Sequence, residues 1–152
     1  EFTHVKGDRV QMVDVSGKDE VAREAVAEGR IRLRAATLRA IREGGLVKGN
    51  VLATARVAAI QAVKETPRII PLCHPIPLSG IEVDFEDGEG FIRATVRVRS
   101  RGPTGVEMEA LTGVSVALLT IWDMVKSAEK DEAGQYPDTG IEGIRVISKE
   151  KG

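Results

Sequence analysis

The stretch at positions 106–130, VEMEALTGVSVALLTIWDMVKSAEK, decides the fold. Its aliphatic side chains recur at steps of three and four residues, at Leu111, Val114, Leu118, Ile121 and Val125. That spacing predicts an amphipathic helix of about six or seven turns with one face in a core. A second row of small residues would let another backbone approach, either within the protomer or across subunits. This row consists of Ala110, Gly113 and Ala117.

The segments just before this helix are predicted to form a β-hairpin. Residues 80–86 alternate apolar side chains with acids, and residues 91–99 repeat the alternation after a Gly-containing turn at 87–90. Period-two alternation is typical of strands with one buried face. The outer face carries acids on the first strand and arginines on the second, so we expect cross-strand ion pairs. The arginines are Arg93, Arg97 and Arg99.

Three further elements are predicted toward the N-terminus. Small apolar residues alternate with charged ones over 22–33, which predicts a strand. Residues 35–43 are good helix formers, and Gly44 follows them as a C-cap. Asn50 is a good N-cap for a second helix that runs to about Lys64. We expect its apolar stripe at Val51, Ala55, Ala58 and Ala62.

The rest of the chain is interpreted as loops and a last strand. Prolines at 67, 71, 75 and 77 exclude a helix there and predict a stiff extended loop. A polar loop is expected over 131–140, followed by a strand that includes Ile144 and Val146. The order strand, helix, helix, strand, strand, helix, strand predicts an α+β fold, most simply a ferredoxin-like antiparallel sheet with helices on one face.

Length and composition limit the class of protein. The 152 residues suit a single domain over 1–152, and 42% hydrophobic residues exclude disorder. With 22 Lys and Arg against 23 Asp and Glu, the chain lacks the basicity typical of nucleic-acid or anionic-membrane binding. No apolar run approaches the roughly 20 residues that span a bilayer. A lone Cys73 and no opening secretory signal lead us to expect a cytoplasmic protein.

The first candidate site is the proline-stiffened segment at 71–75, PLCHP. A catalytic cysteine, a metal site and a structural loop are competing interpretations. Adjacent side chains of an extended segment point to opposite sides, which disfavours one metal held by both Cys73 and His74. Contact between His74 and a ligand stays open. The sequence identifies no metal site and no cofactor.

The long helix carries two more candidate groups. Glu107 and Glu109 lie in its first turn, where acids complement the helix dipole, but residues two apart face different directions. Asp123 and Lys126 lie three apart beside the apolar face. An exposed ion pair is the simplest interpretation of the second group, whereas partial shielding would make it an acid–base pair.

Five basic residues are candidates for anion binding, although each alone is ordinary surface. They are Lys18, Arg23, Lys48, Lys64 and Lys149. Lys48 stands out because it precedes a helix N-terminus, where anions bind favourably. The motifs GxxxxGK[ST], GxGxxG, HExxH, GxSxG and CxxC do not occur, so the common nucleotide, zinc-protease, hydrolase and dithiol sites have no support.

Several ordered segments carry a family resemblance. They are MVDVS at 12–16, KGNVLATAR at 48–56, IQA at 60–62, PLCHP at 71–75, GVEMEALT at 105–112 and DMVK at 123–126. Together they resemble the MoaC family, the cyclic pyranopterin monophosphate synthases of molybdenum cofactor biosynthesis, over residues 3–149. The resemblance implies a ferredoxin-like protomer in a hexamer of three dimers, with active sites at subunit boundaries.

The resemblance also implies a reaction and residue roles. The reaction converts 3',8-cyclo-7,8-dihydro-GTP into cyclic pyranopterin monophosphate and releases pyrophosphate. The residues that match the family's catalytic positions are Asp123, Lys126 and Lys48. Those that match its substrate-pocket segments are Leu72, Cys73, His74, Glu107, Met108 and Glu109. The basic positions that would hold phosphates are Lys18, Arg23, Lys64 and Lys149.

Three features depart from the family's pattern. The loop at 132–140 looks longer than usual, and residues 148–152 stand where a Gly-Gly-Lys-Ser-Gly-like tail often continues, which bears on the match at Lys149. Asn50 stands where Asp is frequent, a change that preserves capping. The competing function is a non-catalytic oligomeric protein that binds phosphorylated nucleotides, because the basic residues alone could support such binding.

Overall fold

The computed structural model describes residues 5–6, 9–44, 46 and 50–152. Its strands are β1 (Val5–Lys6), β2 (Arg9–Val10), β3 (Val21–Arg32), β4 (Leu78–Gly88), β5 (Phe91–Gly102) and β6 (Gly140–Lys151). Its helices are α1 (Ala35–Glu43), α2 (Val51–Ile69) and α3 (Glu107–Glu129). The predicted strands and helices are therefore present in the predicted order, and the short ladder of β1 and β2 is an addition.

The main sheet has four antiparallel strands in the order β4-β5-β3-β6. The first long strand thus lies between the third and the fourth, which is the order of a ferredoxin-like split βαβ arrangement. The hairpin of β4 and β5 closes at Gly88 opposite Phe91, and Gly90 in its turn has a φ of 82° that suits glycine. The α+β prediction is confirmed.

The core lies between one face of this sheet and the helices. Val114, Leu118, Ile121 and Val125 of α3 are fully buried, as the spacing predicted. A Cβ added at Gly113 would stand 2.7 Å from Val63 Cγ2, so the row of small residues serves the packing of α3 against α2 within the protomer.

Helix α3 is also long and apolar enough, by length and composition alone, to cross a membrane. The expectation that no apolar segment approaches that length was wrong. Half of the relevant window is buried inside the protein against the sheet and α2, as in the central helix of a packed core.

Helix α2 departs from prediction at both its end and its face. It continues through Pro67 to Ile69, whereas a helix was excluded from Pro67 onward. Pro67 lies in the last turn, so its missing N–H removes only one helical hydrogen bond, and the following Ile70 N–H still donates to Thr66 O at 2.9 Å. The buried stripe uses Ala59 instead of Ala58, which is only half-buried.

The outer face of the sheet carries charged pairs. Arg99 Nη1 lies 2.9 Å from Glu82 Oε1, and Arg97 pairs with both Glu82 and Glu24, so the cross-strand pairing is confirmed for these two arginines. Arg93 instead stands over the Phe91 ring, 5.3 Å from its centroid.

Candidate functional site

A cavity of about 700 Å³ lies where α2 ends and α3 begins. Three separate segments line it: residues 10–18, the loop 70–74 and residues 104–108. The lining residues named by the sequence as candidates are Lys18, Leu72, Cys73, His74, Glu107 and Met108. The fold therefore brings together candidates that are up to 90 positions apart in the chain.

The loop after α2 forms one wall of the cavity. Ile70 is the C-cap of α2, and Cys73 N–H donates to Ile70 O at 3.1 Å, so a turn follows the helix at once. The prolines on either side restrict the backbone of this segment. Leu72, Cys73 and His74 are consequently presented half-buried at the cavity instead of being drawn into the core.

The segment before β3 forms another wall, and apart from Lys18 the sequence analysis assigned its residues no role. Val13 and Val15 line the cavity, and Asp14 lies between them. Asp14 Oδ1 accepts a hydrogen bond from Ser16 N at 2.9 Å, which lowers the pKa of Asp14, and the nearby charge of His74 lowers it further. Apart from Lys18, only the match of residues 12–16 to a family motif pointed to this segment.

Glu109 lies under the loop wall. Its side chain is 2% exposed, and Cys73 Sγ lies 3.6 Å from its Oε2. Within the described part of the chain, Glu109 Oε1 has no hydrogen-bond partner. Burial raises the pKa of Glu109, because an ionised carboxylate loses its hydration there.

Cys73 shares this environment. Burial, followed by the charge of Glu109, raises the pKa of Cys73 to about 11. A thiol with so high a pKa is a poor nucleophile and a poor metal ligand at neutral pH, because both roles need the thiolate. Among the described residues, no group of three or more His, Cys, Asp or Glu side chains could hold a metal ion.

A smaller cavity of about 110 Å³ adjoins the first and shares Gly105 and Glu107 with it. Arg23 and Lys149 line it, so two more basic candidates lie beside the main cavity. Lys149 Nζ stands 3.5 Å from Glu107 Oε2. Arg23 donates to Gly102 O and Pro103 O at 3.1 Å each, and thereby fixes the segment that enters α3.

Asp123 and Lys126 lie near the other end of α3. They form an ion pair at 2.9 Å, with 60% and 43% of the respective side chains exposed. At about 1.5 Å of rise per residue, the sixteen positions between Glu107 and Asp123 separate them by roughly 24 Å. Within one protomer, this pair is therefore not brought to the cavity.

The geometry around the pair favours a protonated lysine. The hydrogen bond to Asp123, together with the carboxylate's charge, raises the pKa of Lys126, and Tyr136 acts in the same direction. Lys48 lies outside the described residues. Lys64 is exposed on α2 and is not part of the cavity lining formed by the described residues.

Comparison with known proteins adds independent findings. A family model described as the MoaC family matches residues 12–152. The chain is 73% identical over 152 residues to the "Probable cyclic pyranopterin monophosphate synthase" of Methanoregula boonei, covering 100% of this chain and 98% of the relative. It is 69% identical over 152 residues to the protein so named in Methanosphaerula palustris, covering 100% and 99%. It is 63% identical over 150 residues to that of Pyrococcus abyssi, covering 99% and 94%.

Proposed function

The chain belongs to the MoaC family and has the activity for which its relatives are named, the synthesis of cyclic pyranopterin monophosphate, and we propose that the cavity beside the start of α3 binds the substrate. The observation that supports this assignment is the convergence of Lys18, the loop at 72–74 and the first turn of α3 on one cavity. Its volume of about 700 Å³ is in the range of sites for small molecules.

The substrate is a cyclic nucleotide derived from GTP, 3',8-cyclo-7,8-dihydro-GTP. The valines of the N-terminal segment and Leu72 offer apolar surface for its ring system. Its triphosphate needs cations, and Lys18 in the main cavity with Arg23 and Lys149 in the adjoining one supply them. Arg23 acts on the substrate in part through the segment at 102–103, because its guanidinium already holds two carbonyls there.

The acid–base pair comes from a second copy of the chain. Asp123 and Lys126 lie roughly 24 Å along α3 from the cavity, so one protomer does not supply both halves of the site. A homo-oligomer built from twofold dimers would place the pair of one subunit at the cavity of its neighbour. Apolar side chains left exposed on the helices, Val57 and Leu119, are the kind of surface that such an assembly buries. We expect the assembly to be a hexamer of three dimers.

The pair then moves protons during the reaction. Asp123 keeps Lys126 protonated, so Lys126 donates a proton while the rings of the substrate are rearranged. In cyclic phosphate formation a ribose hydroxyl attacks the α-phosphorus, a new oxygen–phosphorus bond forms, and pyrophosphate leaves with the electrons of the broken bond. The proton of the hydroxyl passes to a base, for which Asp123 and Lys48 are the candidates, and cations stabilise the charge on the phosphate.

The cellular setting follows from the same chemistry. The single cysteine stays reduced in the cytoplasm, where we place the reaction. The partners are the nucleotide and further copies of the chain, without nucleic acid, membrane or cofactor.

One assay tests the function and its main alternative. The purified protein is mixed with the GTP-derived substrate, and both pyrophosphate and a pterin that becomes fluorescent on oxidation are measured. Formation of both products identifies the enzyme, whereas binding without either product identifies a nucleotide-binding protein.

Two variants test the acid–base pair in the same assay. Asp123→Ala should abolish both products. Glu65→Ala is the matched control because it removes another helical ion pair of the same spacing, with Arg68, and it should retain full activity. Normal product formation by Asp123→Ala would remove the pair from the mechanism.

A further inference from the structure

Strand β6 contains a bulge where it pairs with β3. Arg145 lies opposite Glu28 and Glu142 lies opposite Arg30, so two residues of β6 face one residue of β3 between these pairs. Gly143, the first of the two, has a φ of 67°, as in the type of bulge that places a glycine first. A bulge bends its strand and changes the direction of the neighbouring side chains. A cavity of about 330 Å³ lies at this bulge.

The cavity at the bulge has a basic lining. Its charged side chains lie on the outer face of the sheet, and three guanidiniums there accompany one carboxylate. The neighbouring Glu142 does not restore the balance, because it pairs with Arg32 as well as with Arg30. Four arginines in and beside the cavity therefore share two glutamates, which favours an anion. The lining consists of Glu28, Gly29, Arg30, Arg93, Gly143 and Arg145.

Arg93 has an unusual position in this cavity. It lies directly opposite Arg30 in the register of β3 and β5, and like charges so placed destabilise a sheet. The Phe91 ring offsets part of that cost, because the two guanidinium carbons stand 5.1 and 5.3 Å from its centroid. Arg30 also donates to Glu142 Oε1 at 2.9 Å. In the part of the chain that the structure describes, the half-buried Arg93 has no hydrogen bond and no ion pair.

We propose that this cavity binds an anion that contains a diphosphate group, held by Arg30, Arg93 and Arg145. A guanidinium offers paired N–H donors whose geometry matches phosphate oxygens. The three arginines come from three neighbouring strands, which places the outer two about 10 Å apart at their backbones. Two linked phosphates suit such a row better than one, and their charge removes the repulsion between Arg30 and Arg93. The site shares no lining residue with the cavity assigned to the substrate.

Calorimetric titration of the full-length protein with inorganic pyrophosphate measures the binding. Ionic strength is held constant, because salt screens the attraction between exposed charges. The basic residues at the substrate cavity also attract pyrophosphate, so the wild type should show two binding sites per chain. Lys149→Ala should weaken only the site at the substrate cavity, because Lys149 does not line the cavity at the bulge.

Two arginine variants test the cavity at the bulge. Arg93→Gln should weaken pyrophosphate binding there by about tenfold or more, because charge-assisted hydrogen bonds are lost. Arg145→Gln should weaken the same site, and its side chain is 69% exposed, so its removal leaves the packing of the sheet intact. Arg101→Gln is the matched control. It removes an exposed arginine from the same strand and the same face as Arg93 but outside the cavity lining, and should keep both sites.

Two further ligands identify the source of the diphosphate. GTP carries the group within a nucleotide, and orthophosphate carries a single phosphate. Binding of GTP at the site that depends on Arg93 assigns the site to a nucleotide, whereas binding of pyrophosphate without GTP assigns it to the free anion. In either case orthophosphate should bind there about tenfold more weakly than pyrophosphate, because it reaches fewer of the three guanidiniums.

The outcomes separate this inference from the proposed function. Equal pyrophosphate binding by the wild type and Arg93→Gln overturns the inference, and so does orthophosphate binding as tight as that of pyrophosphate. An equal loss in Arg101→Gln and Arg93→Gln also overturns it, because that result shows an effect of net charge alone. A wild type with a single site that Arg93→Gln removes supports the inference and counts against the binding of phosphates at the substrate cavity.

Discussion

Replacing Glu109 by glutamine tests the electrostatics beneath the cavity. Glu109 is 2% exposed, and within the described chain its Oε1 has no hydrogen-bond partner. Its described polar neighbour is the Cys73 thiol at 3.6 Å, which offers no positive charge. An ionised carboxylate there loses its hydration, and the hydrogen bonds from its own backbone N–H and from the Cys73 thiol offset only part of that loss. Glutamine keeps the shape of the side chain and removes the ionisation.

The expected effect on stability depends on pH. Burial raises the pKa of Glu109 in the folded protein. The stabilisation that this group contributes is therefore fully present below about pH 4.3, which is the pKa of a glutamate in an unfolded chain. It is lost as the pH rises through the folded-state pKa, at about 1.4 kcal/mol per pH unit for one proton. Glu109→Gln cannot lose that proton. The free energy of unfolding of the variant should therefore rise relative to that of the wild type by about that amount per pH unit between the two pKa values. At higher pH the difference between the two proteins should stay constant.

Urea unfolding at a series of pH values between 4.5 and 8 measures this difference. The single tryptophan, Trp122, reports unfolding by its fluorescence. Protomer concentration is held constant, because assembly contributes to apparent stability. Glu132→Gln, at an exposed position, is the control and should stay within about 0.5 kcal/mol of the wild type throughout. A difference between Glu109→Gln and the wild type that stays constant over the whole series from pH 4.5 to 8 would refute the assignment of a raised pKa to burial.

Two further predictions concern packing and reactivity. Gly113→Ala puts a Cβ 2.7 Å from Val63 Cγ2, so overpacking of about 1–3 kcal/mol should exceed the helix-propensity gain of about 1 kcal/mol. The urea midpoint of Gly113→Ala should therefore fall. Gly17→Ala is the control and should keep the wild-type midpoint, because a Cβ at Gly17 would have no atom within 4 Å. An unchanged midpoint in Gly113→Ala would contradict the packing of α2 on α3. Because the pKa of Cys73 is raised to about 11, its alkylation by iodoacetamide at pH 8 should be about a hundredfold slower than that of a free cysteine, and a comparable rate would disprove a protonated thiol.

Much of the fold could be predicted because long, periodic segments depend on local spacing. The steps of three and four from Leu111 to Val125 identified α3, and period-two alternation identified the strands of the sheet. Pro67 was misjudged because a proline's cost depends on how many helical turns follow it, and in α2 the helix ends two residues later. The stripe of α2 was misplaced by one residue, from Ala59 to Ala58, because alanines occupy both positions and only tertiary packing distinguishes them.

The site was predicted less completely because it depends on contacts between distant segments. The candidates at 72–74 and 107–108 were placed together, but Val13 and Val15 carry no periodic or chemical signal of their own. The distance between Glu107 and Asp123 follows from the sequence only once the helix is established, and this distance is the reason we propose that a second subunit completes the site.

The most direct test of the central claim, a site shared between subunits, is complementation between two inactive variants. His74→Ala damages the cavity and Lys126→Ala damages the acid–base pair. The two proteins are unfolded together, refolded, and shown by mass to form mixed assemblies. In a twofold dimer with random pairing, half of the dimers are mixed and one of their two sites is intact, so activity should return to about a quarter of the wild-type value. Mixed assemblies that stay as inactive as the separate variants would contradict the account.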